Sequence, residues 1–315
     1  MNRTLNGREV GPVGLGCMGM TWAYGAGDAD RAEHLAVIRR ALELGANLID
    51  TADIYGPHTN EELVGEALAG GRRARAFLAT KAGLVNQGGG PFDIKVNGRP
   101  EHIRAAIDAS LRRLGVEAVD LWQLHRVDPE VPLEETWGAM AEAVRAGKAK
   151  AIGLSEATVE QLERARSVHP VASVQSELSL WTRDHLPVVR RCEELGVAFL
   201  AYSPLGRGFL AGRIADRDAL AEDDWRRKNP RFQAEALRKN ARITEVVARV
   251  AERRGHTPAQ VALAWALAQS PVVIPIPGTR RVSRLEENVA AARVALARED
   301  VDELDALPPA EGSRY

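Results

Sequence analysis

Apolar residues follow two alternating patterns along this chain. Short, nearly continuous apolar runs read as buried strands, and longer stretches with apolar residues three or four positions apart read as helices. The runs are Val13–Cys17, Leu48–Asp50, Phe77–Lys81, Val119–His125, Ala151–Ser155, Ala172–Gln175, Val197–Ser203 and Val272–Pro275. The first helix is predicted after Asp30, a candidate cap that follows a turn at Gly25–Asp30. Leu35, Ile38, Ala41 and Leu42 form its apolar stripe and Gly45 ends it. Further helices are predicted at Glu61–Leu68, Pro100–Leu114, Leu133–Ala146, Val159–Ser167, Leu186–Leu195, Ile243–Arg254, Pro258–Gln269 and Arg281–Ala292. Asn6-Gly7 marks a hairpin turn ahead of all of them.

Strands separated mostly by single helices imply a parallel sheet with right-handed crossovers. Eight such units without a linker predict one domain over residues 1–315, a single (β/α)8 barrel with an N-terminal β-hairpin. One connection, Gly206 to about Asn240 after the seventh strand, is too long for a simple link and is expected to act as a lid or binding loop. Val13-Gly14-Leu15-Gly16-Cys17 lacks the G-x-G-x-x-G spacing and fits a crowded barrel face better than a phosphate loop.

Composition narrows the class. The net charge of -1 is spread along the chain, which excludes a nucleic-acid or polybasic membrane surface. Cys17 and Cys192 are too few for a disulfide framework, and no signal pattern or membrane-length apolar run occurs, so a cytoplasmic protein is expected. His169-Pro170 and Asp184-His185 show no metal-ligand spacing, and no metal is expected.

The chemistry lies where strands end. Asp50 closes one apolar run and Tyr55 follows it; Lys81 and His125 close the next two. Barrel active sites sit at the C-terminal ends of the strands, so a carboxylate, a phenol, an amine and an imidazole share one rim. Singly, each would be a strand-end cap, a half-buried aromatic, a solvated charge or a core histidine. The segments N-L-I-D-T-A-D-I-Y-G, L-A-T-K and D-L-W-Q-L-H resemble, in order and spacing, the signatures of the aldo-keto reductases. The likeness runs from about Leu15 to about Asn288. It is strongest to the bacterial, fungal and plant branch with A-Y-S-P-L-G-R-G and I-P-G-T-R-R followed by L-E-E-N.

The resemblance implies reduction of aldehydes and ketones, with hydride from NADPH and a proton from Tyr55. The residues can support those roles. Lys81 beside Tyr55 would lower the pKa of the phenol, Asp50 would hold Lys81, and His125 would orient the carbonyl. The resemblance places Ser155 and Gln175 at the carboxamide and stacks Tyr202 on the nicotinamide. It lines the pyrophosphate with Ser203, Leu205 and Arg207. Gly278, Thr279, Arg280 and Arg284 at a helix start would grip the 2′-phosphate, and Glu287 and Asn288 the adenine. Glu156 stands where many members have asparagine, so its contact to the carboxamide must differ, and Leu178 stands where a tyrosine is common.

Trp22 falls where the family places an aromatic wall, with Ile54, His58 and Trp181 as further candidates, which points to apolar or aromatic carbonyl substrates. Two other readings fit parts of the pattern: a Schiff-base barrel with Lys81 as nucleophile, and a nucleotide-sensing subunit with little turnover. The Schiff-base chemistry needs a neutral lysine, which contact with Asp50 opposes. The tail after Leu307 is short and reads as disordered, and a monomer or weak homo-oligomer is expected.

Overall fold

The computed structural model describes residues 2–23, 30–90, 92–212, 214, 216–222 and 224–314. The turn expected at Gly25–Asp30 falls almost wholly outside the described residues. The chain opens with the expected hairpin, β1 (Arg3–Leu5) against β2 (Arg8–Val10). Its Asn6-Gly7 turn has φ of 48° and 73°, the doubly left-handed geometry that Asn-Gly tolerates.

Eight parallel strands follow: β3 (Leu15–Gly16), β4 (Leu48–Asp50), β5 (Phe77–Ala82), β8 (Leu121–Leu124), β9 (Ile152–Ser155), β10 (Ser173–Glu177), β11 (Ala198–Tyr202) and β12 (Val273–Pro275). The edges β3 and β12 meet: Gly14 N donates to the Pro275 carbonyl at 2.9 Å and Gly16 pairs with Gly278. This closes the barrel. A Cβ on Gly16 would lie 2.8 Å from the Ile276 carbonyl oxygen, so the seam needs glycine there.

Alternation along each strand sorts the side chains. Leu48, Phe77, Ala79, Leu121, Ala151, Ala198, Leu200 and Ile274 join one buried cluster inside the barrel, which Leu5 and Val10 of the hairpin also enter. Their neighbours Ile49, Leu78, Trp122, Ile152, Val174 and Phe199 pack with the surrounding helices. The helices are α1 (Arg31–Glu43), α2 (Thr59–Leu68), α3 (Pro100–Leu114), α4 (Leu133–Arg145), α5 (Val159–Val168), α6 (Leu186–Leu195), α7 (Ala234–Arg254), α8 (Pro258–Ala268), α9 (Val282–Ala290) and α10 (Arg298–Asp305). Asp30 caps α1 through Ala32 N, as expected, and Thr158 and Thr257 form capping boxes on α5 and α8.

The structure departs from the sequence expectations in four places. Helix α7 starts at Ala234 rather than Ile243, so the long connection is shorter, and its described part is built from 3-10 turns. A second hairpin, β6 (Leu84–Asn86) with β7 (Ile94–Val96), follows β5. Helix α10 is anchored by buried Asp300, whose carboxylate binds Arg253 at 2.7 Å and Arg254 at 2.5 Å. The tail expected to be disordered is tied down: Asn240 and the Glu311 backbone exchange two hydrogen bonds, and the Arg314 carbonyl accepts from Arg207 and Asn229.

Candidate active site

On three adjacent strands the inner face is apolar low in the barrel and polar at its C-terminal end. Leu48 gives way to Asp50, Phe77 and Ala79 to Lys81, and Leu121 to Gln123 and then His125. Parallel register sets Lys81 opposite Gln123, Gln123 opposite Gly153, and Gly153 opposite Ser173. Gly153 makes room in this layer: a Cβ there would come within 2.3 Å of Ser173 Oγ.

The four predicted groups come together on this layer. Lys81 Nζ donates to Asp50 Oδ1 at 2.6 Å, to the Thr51 carbonyl at 2.8 Å and to Tyr55 Oη at 3.3 Å. Those three bonds use all three donors of an ammonium group. Asp50 Oδ2 accepts from Gln175 Nε2 at 2.8 Å and Gln123 Nε2 at 3.3 Å. The His125 ring stands edge-on to Tyr55, with centroids 5.8 Å apart at 82°. Lys81 is 1% exposed, Asp50 3%, Tyr55 6% and His125 7%, so little solvent screens these charges.

Burial is the largest influence on each of three protonation states. It pulls Lys81 down, but Asp50 and Tyr55 outweigh it and the ammonium is held above its usual value. It pushes Tyr55 up and, with the Asp50 charge, outweighs Lys81 and Arg126, so the phenol is held above its usual value and keeps its proton. The expected lowering of the Tyr55 pKa by Lys81 is present, but the outcome is the opposite, because burial and the Asp50 charge together outweigh it. His125 is held well below its usual value by burial, then by Lys81 and Arg126, so the ring is neutral at pH near 7. Its Nδ1 is buried without a partner among the described residues.

The expected cofactor residues lie at or beyond the C-terminal ends of β9 to β12 and differ in what they touch. Ser155 Oγ accepts from Arg126 Nη1 at 3.3 Å. The Gln175 amide is engaged by Asp50. Tyr202 ends β11 half-buried, and Ser203, Gly206, Arg207 and Gly208 follow with positive φ. The Arg207 guanidinium turns inward to Glu177 at 3.1 Å and lies over the Trp225 ring. Leu205 is half-buried against the core. Thr279 Oγ1 accepts from Arg281 N ahead of α9, Arg280 lies beside it, Arg284 pairs with Glu287 at 2.5 Å, and Asn288 is buried. Of the pocket candidates, Ile54 is buried, and exposed His58 binds the Asp53 carbonyl through Nδ1 at 2.8 Å. Trp181 is buried beneath Gly206, stacked on Phe209 at 4.5 Å.

The family model described as "Aldo/keto reductase family" matches residues 12–308. The chain belongs to the aldo/keto reductase family. A probable aldo-keto reductase 1 of Glycine max is 43% identical over 314 residues, covering 98% of this chain and 89% of that protein. A glycerol dehydrogenase from Gluconobacter oxydans superposes with a TM-score of 0.86 at 32% identity, covering 96% of this chain and 94% of its own. An aldo/keto reductase from Klebsiella pneumoniae in complex with NADP and acetate gives 0.76 at 27% identity, covering 98% and 96%. As a member of this family, the chain is an oxidoreductase.

Several residues of this reductase site carry no motif that singles them out. Gln123 is one polar position in an apolar strand, and only the register brings it to Asp50. Arg126 next to His125 is read only once its reach to Ser155 is seen. The departure at Glu156 has a structural counterpart. Glu156 sits at φ 55° and its carboxylate pairs with Arg314 of the tail, 158 positions away in sequence. Burial alone would raise the Glu156 carboxyl; Arg314, with His185 and Arg126, outweighs it and holds the group below its usual range.

Proposed function

We propose that this chain reduces aldehydes and ketones to alcohols with NADPH, and that Tyr55 delivers the proton. The observation that carries the reading is the placement of Lys81 Nζ between Asp50 and the Tyr55 hydroxyl. A charged lysine at 3.3 Å stabilises the phenolate that proton delivery leaves behind. His125, neutral and with Nδ1 buried, turns Nε2 to the carbonyl oxygen and fixes its direction. The raised Lys81 pKa opposes the Schiff-base alternative, which needs a neutral amine.

The residues fit a nicotinamide dinucleotide. The positive-φ turn at Gly206–Gly208 brings backbone close to the rim without a side chain at two of its three positions. With the Arg207 guanidinium engaged by Glu177, the backbone of this turn is the part offered to a pyrophosphate. The N-terminus of α9, with Thr279, Arg280 and Arg284, suits a 2′-phosphate. When bound, the cofactor supplies the hydride to the carbonyl carbon. Tyr202 presents a flat ring beside it, and Ser155 offers a hydroxyl to its carboxamide. Gln175 keeps Asp50 in place and adds its amide from below. A cytoplasmic location accords with the described residues, none of whose helices is long and apolar enough to cross a membrane.

The test is NADPH oxidation over a panel of aromatic and aliphatic aldehydes, with Tyr55→Phe alongside. Turnover that is lost in the variant while NADPH still binds supports both the reaction and the proton donor. Tight NADPH binding without turnover by the native chain would favour a sensing role instead.

A further inference from the structure

We propose that Phe92 is a specificity-determining residue, the outer wall of the carbonyl site. On the proposed reductase reading, it selects substrates that carry an aromatic ring or extended apolar group beyond the carbonyl. Phe92 is 53% exposed, and with Val168 it is one of two exposed large hydrophobic residues among those described. It is also the one stacked on a predicted site residue: its ring lies 5.4 Å from that of Trp22 at 24°. Trp22 in turn lies 5.6 Å from Tyr55 at 34°, and Tyr55 meets His125. A continuous aromatic wall therefore runs from the proton donor and the imidazole out to the surface.

The hairpin that carries Phe92 is held in place. Leu84 of β6 and Ile94 of β7 pack against the cluster of Ala52, Ile54 and Tyr55. Between the strands, Asn86 Nδ2 donates to the Gly90 carbonyl at 2.7 Å, and Asn86 Oδ1 accepts from Gly88 N at 2.8 Å. Gln87 N donates to the Asp93 carbonyl at 2.8 Å and Gly89 N to Asp93 Oδ2 at 3.0 Å. These bonds order the turn before any ligand arrives. One face of the Phe92 ring is spent on Trp22, and much of the rest is wetted. An apolar substituent leaving the carbonyl along this wall covers it and releases that water. A short polar carbonyl compound does not reach so far and gains nothing from it.

The test compares kcat/KM for 2-naphthaldehyde and propanal in the native chain, Phe92→Ala and Phe92→Tyr. Phe92→Ala is expected to lose about tenfold on naphthaldehyde, mainly through KM, the scale of one lost apolar contact, with propanal unchanged. Phe92→Tyr retains the native preference. A Phe92→Ala preference equal to the native one overturns the proposal and leaves the reductase reading standing. A native chain that reduces neither aldehyde overturns both.

Discussion

The Asp50–Lys81 pair is best tested by removing its members singly and together. Lys81→Met leaves a carboxylate that is 3% exposed facing an apolar side chain, with the two glutamine amides as its remaining donors among the described residues. Stranding one partner of a buried pair costs about 3–5 kcal/mol. Asp50→Asn is milder, because Lys81 keeps the Thr51 carbonyl and Tyr55, and an asparagine oxygen can still accept; about 2 kcal/mol is expected for one charge-assisted bond weakened. The double variant Asp50→Asn/Lys81→Met has no stranded charge. It should therefore be more stable than the sum of the single losses predicts, by about 2–3 kcal/mol, the range for directly touching groups. Urea unfolding of the four chains at neutral pH measures this. A cycle that closes to within about 0.5 kcal/mol would mean the two groups act independently, and would refute the argument that burial makes them one unit. Turnover gives a second check. Both variants lacking Lys81 should fall by about 100- to 10,000-fold in kcat, since the phenolate loses its counter-charge.

Three further outcomes are expected. The depressed His125 pKa means that its contribution to stability is complete above the unfolded value of about 6.5 and is lost as pH falls below it. Urea midpoints should drop between pH 7 and 5, and less so in His125→Gln. Arg314→Ala strands Glu156 and frees the tail; a loss of about 2 kcal/mol is expected, below the full cost for a deeper pair, and Glu156→Gln should restore part of it in thermal melts. Gly16→Ala places a methyl 2.8 Å from the Ile276 carbonyl and must open the β3–β12 seam, costing about 1–3 kcal/mol by denaturant titration.

Much of the barrel was legible in the sequence, because strand and helix periods alternate and several strands end in, or are followed by, a polar residue. Asp50, Tyr55, Lys81 and His125 could be placed on one rim by that rule alone, and they do meet. The second hairpin was harder to read, since Leu84–Asn86 and Ile94–Val96 are short and their turn is rich in glycine. The early start of α7 was hidden by polar residues in its first turns: Glu235, Arg238 and Lys239 look like loop, and Leu237 and Asn240 are buried only by tertiary contacts.

The tail shows most plainly why composition misleads. P-P-A-E-G-S-R-Y has no apolar periodicity, so nothing local predicts order. Its described residues are held by partners far away in the chain: Asn240 for the Glu311 backbone, Arg231 for the Gly312 carbonyl, Glu156 for the Arg314 guanidinium. Glu156 was itself legible only as a departure from the family pattern. The two irregularities account for each other. A largely buried carboxylate beside Ser155 is costly alone, and an arginine at the described end of the chain has no local reason to be ordered. Paired, Arg314 offsets the charge at Glu156, while Arg207 holds the adjacent Glu177 and the Arg314 carbonyl. The same arginine side chain that the family resemblance assigns to a pyrophosphate thus links the tail, the end of β10 and the turn after β11.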